Sequence, residues 1–177
     1  TSPGLLERGE VGGRYAVVIG LPRLAVRAGG AVTVDGALIL EASSGALELS
    51  TGGELRAGAI VLFEDPGLTV EGAVLAVEKL SGPGGKLSSL SLSGSQLELG
   101  GEILLGTCVL DQSRWIAGGR ISADSLELRS STITVPEPTL LQTHDLEVSV
   151  VGILSVDATS IFDLAGKGYL GGGRGDN

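Results

Sequence analysis

Few residues in this 177-residue sequence belong to the types that hydrolytic or metal chemistry requires. His144 is the only histidine and stands next to Asp145, so any histidine-based triad or metal site must be centred on that pair. Pro136 and Pro138 precede it, and proline cannot donate to a central strand ladder. We therefore predict a protruding loop over residues 136–145, in which His144 and Asp145 are exposed and available for binding.

Carboxylates are the second group that could support catalysis, since two of them suffice to hydrolyse a glycosidic bond. The sequence offers Glu64, Asp65 and Glu137 for this role. Sugar sites also use aromatic platforms, yet aromatic residues make up only 3% of the chain. Trp115 is the best exposed candidate for a sugar-binding surface, but we favour the interpretation that this Trp packs in the core or caps a coil.

The composition excludes several classes of protein. The single cysteine, Cys108, rules out an internal disulfide and a cysteine-based zinc cluster, and its apolar neighbours predict a small buried residue. A formal net charge of −9 argues against a nucleic-acid partner, whose binding surfaces are basic. No apolar run approaches the ~18 residues that a membrane-spanning helix needs. Hydrophobic residues make up 42% of the chain, so Leu, Val, Ile and Ala must fill a core.

We expect no cofactor and no metal, with calcium as the one ligand left open. The tail GGRGDN, 172–177, nearly fits one calcium-binding nonapeptide, but such sites need adjacent copies to complete the oxygen shell. The same tail contains the integrin-recognition tripeptide Arg-Gly-Asp, which a glycine-rich segment can contain by chance. The stretch SGPGGKLSS suggests a phosphate loop but has Leu87 where Ser or Thr must hold magnesium, so we interpret it as a turn.

The elements that must carry these residues are short β-strands. The stretch LSSLSLSGSQLELGGEILLG, 87–106, contains three pairs of large aliphatic residues two positions apart, Leu90/Leu92, Leu97/Leu99 and Ile103/Leu105. Similar pairs recur along most of the chain, and such alternation places one set of side chains on a buried face and the other in water. Glycine pairs such as Gly100-Gly101 and Gly118-Gly119 punctuate the pattern, several of them at intervals of roughly 20 residues.

We predict an all-β fold, a parallel β-solenoid (right-handed β-helix) of short strands with glycine-rich corners. Each coil of a solenoid places a small apolar pair above the last, which suits a core of Leu, Val and Ile. The alternative is a β-sandwich, whose core commonly contains aromatic anchors that are scarce here. The predicted organisation is a linker or cap at 1–13, the solenoid at 14–165 with its loop at 136–145, and a glycine-rich tail at 166–177. Within the first segment, a short helix around Leu5 to Arg8 is an alternative.

The glycine-punctuated units, of the form xLxLxGG, resemble right-handed parallel β-helix repeat regions of large bacterial surface and secreted proteins, such as filamentous haemagglutinin-like and autotransporter adhesins. The stretch SIFDLAGKGYLGGGRGDN, 160–177, is similar to segments at coil ends of such proteins, with Phe162 and Leu164 facing the interior. The resemblance covers residues 14–173. It implies an extracellular or cell-surface scaffold that is one part of a longer chain.

We therefore predict a non-catalytic spacer or adhesin-shaft segment of a larger secreted or surface-displayed bacterial protein. Its predicted partners are the neighbouring domains of the parent chain, with a carbohydrate or a host surface as a further partner. Two alternatives are a carbohydrate-active β-helix enzyme, similar to a polysaccharide lyase or glycosidase, and a calcium-stabilised binding module. A groove of clustered acids with Trp115 would favour the enzyme, and a melting temperature that rises with calcium would favour the binding module.

Overall fold

The chain folds into β-strands joined by tight turns, as the alternating pattern predicts. The computed structural model describes residues 6–11, 14–41, 47–64, 67–139 and 144–167, with the side chains of 6–18 excepted. Within these ranges there is no α-helix, and a 3₁₀ turn at Pro83–Gly85 is the one helical element. The strands are β1 Leu6–Val11, β2 Arg14–Leu21, β3 Leu24–Val26, β4 Ala31–Leu40, β5 Leu47–Leu49, β6 Glu54–Leu62, β7 Leu68–Glu71, β8 Val74–Ser81, β9 Lys86–Ser93, β10 Gln96–Leu99, β11 Ile103–Asp111, β12 Arg114–Ala117, β13 Ile121–Arg129, β14 Thr132–Thr134, β15 Val148–Val156 and β16 Ile161–Asp163.

The strands alternate between two sheets as the chain proceeds. One sheet has nine strands in the order β1-β2-β4-β6-β8-β10-β12-β14-β16, and the other has seven in the order β15-β13-β11-β9-β7-β5-β3. Neighbouring strands are parallel throughout, apart from the antiparallel pair β1 and β2. From β2 onwards, each strand pairs with strands two elements away, which is the connectivity of a parallel β-solenoid. The predicted solenoid is confirmed, and the β-sandwich alternative is wrong.

Each coil has three faces, and each face directs two residues into the interior. In the coil that starts at β10, the buried pairs are Leu97/Leu99, Ile103/Leu105 and Cys108/Leu110. The alternation of buried and exposed residues is interrupted at Gly106, inside β11. This long strand therefore turns a corner there and supplies both the second and the third buried pair. Equivalent positions in neighbouring coils are 18 residues apart here, as for Ser95 and Ser113. We number the faces first, second and third in chain order within this coil.

The inward residues of successive coils stack into continuous rows. On the first face the row runs through Leu55, Leu75, Leu97, Trp115 and Ile133, which register directly on one another and are 0% exposed. Burying one such aliphatic side chain contributes roughly 1.5–3 kcal/mol, so the rows are the main source of stability. The three aliphatic pairs predicted from residues 87–106 all belong to these rows, and none of their six members is more than 2% exposed.

The corners before the six first-face strands β4, β6, β8, β10, β12 and β14 each contain a left-handed backbone residue. Glycine supplies it in four successive coils, with φ between 57° and 77°, at Gly29, Gly52, Gly72 and Gly94. Gln112 and Ser130 supply it in the next two coils, with φ of 48° and 47°. Because a Cβ atom crowds the backbone in this region, these two residues carry a steric cost that glycine avoids.

We expect the substitution Gln112→Gly to stabilise the protein. It removes the cost of a left-handed Gln, about 1–2 kcal/mol, and the greater freedom of glycine in the unfolded chain offsets part of that gain. The net increase in the free energy of unfolding should be about 0.5–1 kcal/mol, measured by urea denaturation. The matched control, Ser91→Gly in the extended strand β9, should lose a similar amount. A less stable Gln112→Gly protein would contradict the assigned strain.

The N-terminal segment contributes a strand rather than a helix. Residues Leu6–Val11, within the predicted linker or cap, form β1 and pair antiparallel with β2. The alternative helix is therefore wrong for Leu6 to Arg8, and Leu5 lies outside the described residues. The strands of the solenoid itself run from Arg14 to Asp163. The Arg-Gly-Asp tripeptide of the tail lies outside the described residues.

Within the described residues, no strand covers the C-terminal end of the solenoid. Phe162 registers on Ile133 and so continues the inward row of the first face, at the position where it was predicted to face inwards. Phe162 and Leu164 are nevertheless 36% and 48% exposed, because no described strand lies beyond β16 to cover them.

Candidate binding groove

Trp115 lies in the core and not on the surface. It occupies the first-face inward row between Leu97 and Ile133 and is 0% exposed. Its indole Nε1 has no hydrogen-bond partner among the described residues, so the ring serves to fill space. The expectation of an exposed sugar-binding Trp is therefore wrong, and the core alternative is confirmed. The physical reason is the strand register, which turns Arg114 and Ile116 outwards and Trp115 inwards.

His144 and Asp145 lie in the connection between β14 and β15, where the loop was predicted. Pro136 to Thr139 and the stretch 144–147 have no strand structure, and residues 140–143 lie outside the described part of the chain. Ser131 and Ser160 hold equivalent positions in neighbouring coils, yet they are 29 residues apart along the chain instead of 18. The loop therefore makes this coil longer than the coil before it. His144 is partly buried and Asp145 is exposed. Since Trp115 is inside the solenoid, the three predicted surface residues do not form one surface.

A groove of about 610 Å³ lies on the outside of the first face. Its floor follows the outward residues of successive strands, which register on one another and include Arg56, Ala76 and Glu98. The short side chain of Ala76, between two long ones, creates the depression. Pro136 and Glu137 from the enlarged loop line the groove as well, so part of the predicted loop does contribute to it.

Four carboxylates line the groove, and ion pairs engage two of them. The lining carboxylates are Asp35, Glu78, Glu98 and Glu137. Arg56 hydrogen-bonds Glu54 through Nε, and its Nη1 lies 3.7 Å from Glu98 Oε2 across the strand that carries Ala76. The hydrogen bond that Arg56 donates to the Glu54 carboxylate, together with the charge of that carboxylate, raises the pKa of Arg56. At the loop end, Glu137 pairs with Lys167.

The groove can bind a polar ligand through carboxylates and one guanidinium, but it lacks the aromatic platform expected of a sugar site. No aromatic side chain is among its described lining residues. The described residues contain no cluster of His, Cys, Asp or Glu that could hold a metal ion. Glu64 is exposed and lies outside the groove, and Asp65 is outside the described residues. Cys108 is buried, as predicted, and burial raises the pKa of its thiol to about 12.

A ladder of buried serines, missed from the sequence, runs along the corner that precedes the first face. Ser113 Oγ accepts a hydrogen bond from the N–H of Ser95 at 3.1 Å, and Ser131 Oγ accepts one from the N–H of Ser113 at 3.0 Å. Each hydroxyl donates in turn to a carbonyl two residues earlier, at 2.7 Å to Asp111 and 2.8 Å to Arg129. These hydroxyls satisfy corner N–H groups that burial would otherwise leave unpaired.

The ladder ends at a carboxylate. Ser160 Oγ accepts from the N–H of Ser131 at 3.0 Å and donates to Asp157 Oδ1 at 2.7 Å. The backbone N–H groups of Ser130 and Thr159 donate to the same carboxylate. These donors, that of Ser160 above all, lower the pKa of Asp157 to about 2. A sequence signal for the ladder exists, because each of its serines stands two residues before the first inward residue of a first-face strand.

We expect the substitution Ser113→Ala to destabilise the protein by about 1–3 kcal/mol, the cost of leaving a buried donor unpaired. It removes the hydroxyl that accepts the N–H of the buried Ser95. Urea denaturation measures the change. The exposed Ser93→Ala is the matched control and should stay within about 0.5 kcal/mol. Equal effects would show that the ladder is incidental.

Comparison with known proteins gives no relative for this chain. No family model, curated protein or solved structure matches it. No helix in the described ranges is long and apolar enough to cross a membrane. The likeness to bacterial β-helix repeat regions therefore rests on the repeated sequence units, and the function must be argued from the solenoid and its surfaces.

Proposed function

We propose that this chain is a shaft or spacer: a β-solenoid segment of a larger secreted or surface-displayed bacterial protein, joined to neighbouring domains of its parent. The observation that carries the proposal is the structural role of the residues that recur from coil to coil. The inward aliphatic rows, the left-handed corners and the serine ladder all stabilise stacking of one coil on the next. A chain whose repeating residues serve stacking provides length and stiffness.

The shaft has a defined length per coil. Neighbouring strands lie about 4.8 Å apart, so the seven-stranded sheet spans roughly 29 Å along the solenoid axis. The net charge of −9 gives the surface a self-repelling character, which suits an extended soluble element.

A carbohydrate-active enzyme is the second candidate, because one observation favours it. The first-face groove brings together carboxylates from several coils and from the enlarged loop, among them Glu98 and Glu137. Two carboxylates on either side of a glycosidic bond can hydrolyse it. Against this, Glu98 and Glu137 are both engaged by basic side chains, and the groove has no described aromatic residue.

Deletion of two whole coils tests the shaft. Removing residues 96–131 joins Ser95 to Thr132, so that Ser95 takes the ladder position of its deleted equivalent, Ser131. We expect a folded protein whose longest dimension by small-angle X-ray scattering is shorter by about 10 Å. Removing residues 96–104, half a coil, is the control, and it should abolish cooperative folding because the inward rows no longer register. An unfolded two-coil deletion would contradict a modular shaft.

Activity and calcium measurements separate the alternatives. A shaft should release no sugar from a broad panel of polysaccharides, whether or not calcium is added. Turnover that Glu98→Gln abolishes, without loss of folding, would establish the enzyme instead. A melting temperature that rises with added calcium would favour the calcium-stabilised binding module.

A further inference from the structure

The groove on the first face runs along the solenoid axis. Its lining residues come from β4, β6, β8, β10 and β12 and from the loop that follows β14. These six elements occupy successive coils of one sheet, so the groove crosses five strand spacings and is roughly 24 Å long. An extended peptide rises about 3.4 Å per residue, and about seven residues therefore match the length of the groove.

Between its charged residues, the groove is lined by short and apolar side chains. Ala76 forms the depression between two longer side chains of its row, and Gly58 and Gly100 lie at the corner that follows the first face. Towards the C-terminal coils, Ile116 and Pro136 continue the apolar lining. A long side chain that lies along the groove therefore contacts hydrocarbon over much of its length.

The charge of the groove is negative and only partly compensated. Four carboxylates line it, against the guanidinium of Arg56 as the one basic group among its described lining residues. Arg56 is already shared between Glu54 and Glu98. Asp35 and Glu78 are both exposed, and neither forms an ion pair with a basic side chain in the described part of the chain. These two carboxylates are therefore available to a ligand.

We propose that the groove binds an extended basic peptide, a segment of another protein in which lysine or arginine residues recur. Each such side chain combines an apolar stem, which can cover the apolar lining, with a cationic head that can reach a carboxylate. Asp35 on β4 and Glu78 on β8 lie two strand spacings apart, roughly 10 Å along the axis, so cations about three residues apart can pair with both. The net charge of −9 attracts such a peptide from a distance.

Other classes of occupant fit the groove less well. The carboxylates repel an acidic polysaccharide or a nucleic acid. A neutral glycan would find no aromatic side chain to stack on among the described lining residues. A metal ion would find no cluster of ligands in the described ranges. The apolar lining together with uncompensated carboxylates therefore favours a chain of amphipathic cations.

Fluorescence anisotropy with a labelled heptapeptide of alternating lysine and serine tests the charge complementarity. At about 50 mM salt the full 177-residue chain should bind this peptide, and higher salt should weaken binding. The same peptide with glutamate in place of lysine should not bind. Glu78→Gln should weaken binding by about threefold or more, the effect of losing one exposed ion pair. Glu71→Gln removes an equal charge from the end of β7, outside the groove, and should change the affinity by less than about 1.5-fold.

Filling the depression tests the position of the peptide without changing any charge. Ala76→Phe places a ring in the groove and should weaken binding by about tenfold or more. Val74→Phe is the matched control, because Val74 points outwards from the same strand and lies outside the groove, and it should leave the affinity unchanged. Circular dichroism should show native folding in every variant. If Ala76→Phe does not fold, the comparison of Glu78→Gln with Glu71→Gln decides by itself.

Specific outcomes overturn the proposal. Absence of binding at up to about 1 mM of the lysine peptide would exclude it. Equal effects of Glu78→Gln and Glu71→Gln, or binding that a folded Ala76→Phe leaves unchanged, would show general attraction to the acidic surface and reject the groove. A neutral oligosaccharide that displaces the peptide would assign the groove to a glycan instead. None of these results depends on the shaft proposal, which the coil deletions test separately.

Discussion

The substitution Leu99→Lys should abolish the folded state. Leu99 is 2% exposed and registers on Val77 and Ala117 in the coils before and after it. A lysine there loses the burial of Leu and brings an ammonium group into an apolar row, at a cost of several kcal/mol. Because a domain of this size has a free energy of unfolding of only about 5–15 kcal/mol, we expect loss of the β-type circular dichroism and of the cooperative thermal transition.

Ser91→Lys is the matched control, since it also introduces a lysine, on the preceding strand of the chain. Ser91 lies on β9 and points outwards between the buried Leu90 and Leu92. A lysine can extend its amine into solvent from this position, so the free energy of unfolding should change by about 0.5 kcal/mol or less. Similar losses in both variants would mean that the inward and outward sets of residues are assigned wrongly.

The fold could be predicted because the sequence contains the same information in each coil. Alternating pairs such as Leu97/Leu99 identify the inward side locally, and their recurrence after a glycine-rich corner indicates stacking. The length of a coil was harder to predict, because the 136–145 loop adds residues to one coil without changing its strands. The short alternating stretches did not indicate that β11 turns a corner at Gly106 and β13 at Asp124. Each of these strands therefore contributes to two faces of its coil.

The candidate site could be predicted only in part. Trp115 was misplaced because a single strand of four residues, RWIA, is compatible with either face until its register with Leu97 is known. The groove brings together residues from at least four coils, and their separation along the chain hides them. Glu98 and Arg56, for example, are 42 positions apart along the chain. Their long side chains meet across the strand between them, where the residue in register is the short Ala76. The serine ladder went unnoticed because serine is common at turns for other reasons.

The glycine pairs do more than form turns, because they let neighbouring coils approach closely. The substitution Gly119→Ala should demonstrate this role. Gly118 and Gly119 stack on Gly100 and Gly101 of the preceding coil. A Cβ atom on Gly119 would lie 2.5 Å from the carbonyl carbon of Gly101 and 2.7 Å from its oxygen. Backbone atoms cannot rotate away as a side chain can, so the two coils must move apart. We expect a loss of about 2–3 kcal/mol in the free energy of unfolding, measured by urea denaturation.

Gly100→Ala is the control, because Gly100 lies in the same corner one coil earlier, next to Gly101, the equivalent of Gly119. A Cβ atom there would meet only the carboxylate end of Glu78, whose side chain is exposed and can adopt another rotamer. The loss should therefore be about 1 kcal/mol or less, the ordinary effect of a surface substitution. If Gly100→Ala proved as damaging as Gly119→Ala, close approach of the coils could not be the reason for glycine at this corner. If only Gly119→Ala is damaging, close approach of the coils is the reason for glycine, and that approach is set by the spacing of hydrogen-bonded strands.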